Sequence, residues 1–123
     1  MTDAAIAAVA RYLDALRARD WDAVSECLAR DLERIGPYGD VFRDRDSYVA
    51  YLRDVLTGLS GYVLEVGRVV GSADTVFVEL AETVDDGDTR LRTDEGLVFD
   101  LDGEGRIRRV AVYLRTSVRE PRG

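Results

Sequence analysis

The apolar positions along this chain change period once, near Gly61: before it they recur at helical spacing, and after it they alternate. In the first half, Ile6, Val9, Leu13 and Leu16 mark one stripe of a helix that Thr2 or Asp3 can cap and that runs to about Arg19. Tyr12 lies on the flank of that stripe. Asp20 is placed to cap a short second helix with Trp21, Val24, Cys27 and Leu28 inward. Asp31 to Gly36 reads as a short strand, ended by Gly36-Pro37-Tyr38-Gly39, a turn that no helix crosses. A third helix begins near Asp44 or Asp46, ends by Gly58, and gathers Tyr48, Val49, Leu52, Val55 and Leu56 on one wide apolar face.

Beyond Gly61 the alternation predicts four strands, Tyr62 to Val70, Thr75 to Asp85, Thr89 to Asp102 and Arg106 to Thr116. Asp86-Gly87 has the composition of a two-residue hairpin loop. A turn there sets Glu82 opposite Leu91, Leu80 opposite Thr93, Val78 opposite Glu95 and Val76 opposite Leu97. From Val76 to Leu114 the inward positions are almost all apolar, interrupted by Glu82 and Glu95. The outward positions carry Phe77, Ala81, Ala111 and Tyr113 among charges, a partly apolar face that suits a homodimer interface. A sheet that is greasy on one face has to be covered, and the helices of the first half are what can cover it. The expectation is an α+β domain over residues 1–118, with a frayed tail at 119–123.

Composition narrows the chemistry. At 123 residues the chain suits one domain with a core of its own. A net charge of −7, with arginines scattered among acids, disfavours nucleic acid, because phosphate binding needs a basic stripe. There is no histidine and one cysteine, too few preferred ligands for zinc or a soft metal, and no Asp-rich calcium loop is present. Neither a metal nor another cofactor is therefore expected. Cys27 reads as a small buried filler, because no His or Lys is near it in sequence to activate the thiol. No signal-peptide pattern and no membrane-length apolar run occur, so a soluble cytoplasmic protein without membrane contact is expected.

The interrupting polar residues are the candidates for function. Glu95 shares its face with Thr93, Leu97 and Phe99; desolvation there raises a carboxylate's pKa and suits it to general acid or base work, unless a cation holds it ionised. Arg34 shares a strand face with Leu32 and Gly36 and can bind an anion, support a developing oxyanion, or merely pair with Glu95 or Glu82. Tyr12 can donate a hydrogen bond to a substrate carbonyl or simply wall the core. Glu82, nearer the hairpin end, is the weaker acid candidate. Tyr38, Tyr48, Leu52, Tyr62, Leu97, Phe99, Val112 and Leu114 are expected to line a pocket.

The order helix, short helix, short strand, helix and long meander resembles the nuclear transport factor 2-like superfamily, in particular its SnoaL-like group. The resemblance spans Ile6 to Arg115. It is carried by Val9-Ala10-Arg11-Tyr12-Leu13-Asp14-Ala15-Leu16, Asp20-Trp21-Asp22-Ala23-Val24, the Pro37 turn, Arg43-Asp44-Arg45-Asp46 and Asp102-Gly103-Glu104-Gly105-Arg106-Ile107. It implies a cystatin-like cone, with three N-terminal helices packed on a curved antiparallel sheet, often as a homodimer. Compared with ketosteroid isomerase, which is similar in fold, Tyr12 falls on the catalytic tyrosine, but the base position falls on Gly36 and the second aspartate on Leu97. Two of the three catalytic positions are thus missing, which argues against that steroid chemistry. Polyketide cyclases and scytalone dehydratase lean on histidine, which this chain lacks. Epoxide hydrolysis of the limonene type uses an acid-arginine-acid cluster that Arg34, Glu95 and Glu82 can imitate. The resemblance implies a cofactor-independent cyclase, isomerase, hydratase or epoxide hydrolase acting on a small, mainly apolar molecule through Tyr12, Arg34 and Glu95. It equally admits a binding module for a hydrophobic or carboxylate-bearing ligand, or a structural dimer with a filled cone.

Overall fold

The computed structural model describes residues 2–122. The elements run α1 (Thr2–Ala18), α2 (Trp21–Cys27), β1 (Leu28–Ile35), β2 (Val41–Phe42), α3 (Arg45–Thr57), β3 (Ser60–Ser72), β4 (Thr75–Asp86), β5 (Thr89–Leu101) and β6 (Ile107–Pro121). Three helices cover one face of a six-stranded sheet of order β2-β1-β6-β5-β4-β3, an α+β cone. No helix is long and apolar enough to cross a membrane.

The helix starts follow the side chains that can cap them. Asp20 accepts from the Ala23 amide at 3.2 Å, and Asp44 accepts from the Ser47 amide at 3.0 Å. Helix α1 stops because Arg19 turns left-handed (φ 54°), which lets the Asp20 amide reach back to the Ala15 carbonyl. Its stripe buries Val9, Leu13 and Leu16 as the spacing predicts, while Ile6 is half-buried.

The sheet departs from the sequence reading in three places. It is mixed, not wholly antiparallel: β1 runs parallel to β6, with Arg34 beside Val110 and Ile35 beside Ala111. That strand also begins earlier than expected, at Leu28, whose backbone is already extended (φ −108°, ψ 141°), so Leu28 belongs to β1 and not to α2. Second, β6 continues through Arg119, Glu120 and Pro121, paired with Leu91, Arg90 and Thr89, where a frayed tail is expected. The Arg122 amide adds a bond to the Asp88 carbonyl at 3.0 Å, and Gly123 lies outside the described residues.

The third departure decides the site. The β4–β5 loop is Gly87-Asp88, not Asp86-Gly87, since Asp86 pairs with Thr89. Gly87 takes the positive φ (60°) as the first of the two loop residues, the pattern of a type II′ turn. Every pair is thereby moved by two residues. Glu82 faces Thr93, Leu80 faces Glu95, Val78 faces Leu97 and Val76 faces Phe99. An even shift keeps each side chain on its predicted face. It changes which inward residues are neighbours.

Between sheet and helices the core is closed at the narrow end by Val9, Tyr12, Val76, Val78, Phe99 and Val110. Phe99 is fully buried there and meets Tyr12 edge to face at 5.8 Å. On the outer face Phe77 and Tyr113 are exposed, whereas Ala81 and Ala111 are buried.

Candidate active site

Toward the wide end the core opens into a cavity of about 330 Å³. The structure brings Tyr12, Arg34, Tyr48, Leu52, Tyr62, Glu82, Glu95, Leu97, Val112 and Leu114 to its walls. Phe99 is the exception among the expected lining residues, because it belongs to the packed end below. Tyr38 touches the mouth but is 83% exposed, so it is rim, not wall. Tyr51 and Asp40 also line the cavity and were not anticipated. Tyr51 carried a signal in its place three residues after Tyr48 on α3, the spacing that puts two side chains on adjoining faces. Asp40 had none, since only the folded turn returns it toward Arg34.

The two inward glutamates form the chemical centre. Glu82 on β4 and Glu95 on β5 are diagonal neighbours, each one inward position from the other's partner, a separation that long side chains span. Burial first, then the charge of Glu82 and a hydrogen bond with it, push the Glu95 carboxyl up to about 8, against a smaller opposing pull from Arg34. At neutral pH Glu95 is therefore mostly protonated. The Tyr62 hydroxyl donates to Oε2 of Glu82. Burial and then Glu82 raise the Tyr62 phenol far above its ordinary value, so it stays a neutral donor. The arrangement sets a protonated acid, Glu95, against a second carboxyl that accepts from a phenol.

Arg34 does not pair with Glu95 or Glu82. Its Nη1 lies 2.7 Å from Oδ2 of Asp40, and its guanidinium sits 5.5 Å from the Tyr48 ring centroid and 5.8 Å from that of Tyr51. The ring of Phe42 backs Tyr51 at 4.8 Å. Nε of Arg34 is buried without a hydrogen-bond partner. Gly36 makes the Asp40 contact possible: a Cβ there would stand 2.2 Å from Oδ1 of Asp40. Arg34 thus contributes a fixed positive charge near the cavity while its best donor is already engaged.

Tyr12 and Tyr48 bond to each other, oxygen to oxygen, at 2.9 Å. Burial pushes both phenols up, Tyr12 especially. Cys27 is half-buried at the end of α2, and burial raises its thiol, in keeping with an unreactive filler. Among the described residues no three His, Cys, Asp or Glu side chains gather as a metal site.

The family model for the SnoaL-like domain matches residues 9–110. The chain belongs to the SnoaL-like domain family. No curated protein matches it in sequence. Among solved structures, an LEH-like epoxide hydrolase of M. tuberculosis shares 27% identity with a TM-score of 0.81, over 93% of this chain and 84% of the other. The epoxide hydrolase/cyclase-like enzyme SalBIII, described for its role in pyran ring formation in the polyether salinomycin, is also 27% identical, with a TM-score of 0.76 over 89% and 88%. An NTF2-like protein of Burkholderia pseudomallei K96243 matches at 18% identity and a TM-score of 0.80 over 91% of each chain, a likeness of fold alone. The SnoaL-like chain thus has epoxide hydrolase-like and cyclase-like structural neighbours at low identity.

Proposed function

We propose that this SnoaL-like protein is a cofactor-independent acid/base enzyme that opens an epoxide in a small, mainly apolar substrate, by water or by a hydroxyl of the substrate itself. The observation that carries the reading is the Glu82–Glu95 pair, two carboxyls side by side in a mostly apolar cavity, with Glu95 kept protonated by burial and by Glu82. Glu95 gives its proton to the epoxide oxygen as the C–O bond breaks. Glu82 takes the proton released by the attacking hydroxyl as the new C–O bond forms. The product is a diol when water attacks and a cyclic ether when a substrate hydroxyl attacks. One proton passing from Glu82 back to Glu95 restores the starting state, and their contact provides the route. The cavity lies at the small end of ligand pockets, which fits a compact substrate.

The similarity to the epoxide hydrolase and to SalBIII, each at 27% identity, supports epoxide chemistry over the isomerase, dehydratase or hydratase alternatives. Capture of a carboxylate-bearing ligand by Arg34 has less support, because Asp40 already neutralises the guanidinium through Nη1. The homodimer expected through the outer face belongs to this proposal as well, supported by exposed Phe77 and Tyr113. A monomer in equilibrium sedimentation would remove that part alone.

The test is turnover of cyclohexene oxide and of a short γ,δ-epoxy alcohol, with products identified by mass spectrometry. Conversion is expected, and Glu95→Gln is expected to lose about 10²- to 10⁴-fold in kcat. Failure to convert either compound, or a Glu95→Gln variant as fast as the parent, would overturn the reading.

A further inference from the structure

The phenols of Tyr12 and Tyr48 reach the cavity from different helices, α1 and α3, and both side chains are buried. Two hydroxyls carry two hydrogens, and the 2.9 Å bond between them uses one. Among the described residues neither hydroxyl has another hydrogen-bond partner. One O–H is therefore unspent in the wall of a cavity where little else can satisfy it.

Which hydrogen is free follows from the charges around the pair. A hydroxyl that accepts a hydrogen bond becomes the stronger donor through its own hydrogen, because the accepted bond stabilises the negative charge its oxygen gains on donating. That charge is best placed beside a cation. Arg34 lies over the Tyr48 ring at 5.5 Å, and among the described residues it makes no such contact with the Tyr12 ring. Glu82 acts on both phenols, and Tyr51 adds a small opposing effect at Tyr48. The favoured orientation has Tyr12 donating to Tyr48.

We infer that Tyr48 presents the free O–H to the cavity, with Tyr12 as a positioning residue behind it, so that the site takes its substrate through a neutral oxygen acceptor: an epoxide, ether or carbonyl oxygen. This deepens the proposed function by naming the group that holds the substrate oxygen. It rests on that reading only for the cavity's taking a small, mainly apolar molecule, not for turnover. It also gives the arginine a purpose its pairing with Asp40 otherwise obscures. The cation polarises a donor instead of touching the ligand.

Acetophenone, compact and apolar with one carbonyl acceptor, is the probe, read by its C=O stretch in infrared difference spectra. Bound to the unaltered protein it is expected to show a band red-shifted from its position in hexane. Tyr48→Phe is expected to abolish that shift and weaken binding about 5- to 10-fold. Tyr12→Phe is expected to keep a smaller shift. Loss of the shift in Tyr12→Phe with retention in Tyr48→Phe overturns the assignment, as does retention in both, or no shifted band in the unaltered protein. Should a Phe variant fail to fold, 3-fluorotyrosine at position 48, a more acidic phenol of nearly the same size, must enlarge the shift. An unchanged band there overturns the assignment too. A shifted band without epoxide turnover would leave Tyr48 as the donor and end the enzyme reading, so the two proposals fail separately.

Discussion

Asp94 and Glu95 are consecutive residues on one strand, yet their carboxyls are shifted in opposite directions. Asp94 points outward, where the Thr116 hydroxyl donates to it at 2.7 Å and Arg92 lies 3.2 Å away, and it is held below its ordinary range. Glu95 points inward against Glu82 and rises to about 8. The same contrast recurs on β4, where outward Glu79 is lowered by Arg68, while inward Glu82 has another carboxyl and a phenol for company. The outer face supplies these acids with arginines; the inner face supplies acids with each other. Residue type is equal across the sheet. Solvation and the sign of the neighbour decide what each carboxyl can do.

The sharpest way to break this contrast is to neutralise one acid at a time. Glu82→Gln and Glu95→Gln are each expected to lower kcat on an epoxide by about 10²- to 10⁴-fold, while Asp94→Asn and Glu79→Gln leave it within about two-fold. Equal losses on the two faces would dissolve the distinction. Next in size is the pH profile. With Glu95 as the acid, kcat/KM is expected to fall above pH about 8. Tyr62→Phe removes the phenol that donates to Glu82 and is expected to lower kcat by about 5- to 10-fold, a smaller loss than either Gln variant.

Stability gives a third handle, without any substrate. The native Glu95 pKa of about 8 lies above its ordinary value of 4.5, so between those values the native state binds more protons than the unfolded one. Its contribution to stability is complete below about pH 4.5 and is lost as pH rises through 8. Melting temperature should therefore decline across that window, and Glu95→Gln should flatten the decline and melt higher than the parent at pH 9. The smallest effect is on the outside. Arg68→Ala removes a fully solvated ion pair and is expected to leave the melting temperature unchanged within error.

Faces were legible in the sequence, and neighbours were not. Alternation alone puts Glu82 and Glu95 inward, and the cap residues Asp20 and Asp44 mark the starts of two helices. The acid pair stayed hidden because the hairpin loop is set by which residue takes the positive φ, and Gly87 serves equally in an Asp86-Gly87 or a Gly87-Asp88 loop. A shift of two residues kept every side chain on its side of the sheet and moved Glu82 from a distant position to a diagonal contact. The parallel β1–β6 pair escaped for a different reason: it joins Leu28–Ile35 to Ile107–Pro121, and no local pattern specifies a pairing over that separation. Arg34 was placed correctly on its strand, but its partner sits in a turn whose geometry depends on the absence of a side chain at Gly36. The SnoaL-like resemblance compensated for much of this in the fold, though not in the register.

That bare position at Gly36 has a historical corollary. In the arrangement used by ketosteroid isomerase, the residue aligned with position 36 is the base. Here a Cβ at that point would overlap the Asp40 carboxylate as it stands, so the Asp40 side chain would have to move. An acid at 36 would compete with Asp40 for the space beside Arg34. A lineage passing between the two layouts would exchange one acid beside the guanidinium for another.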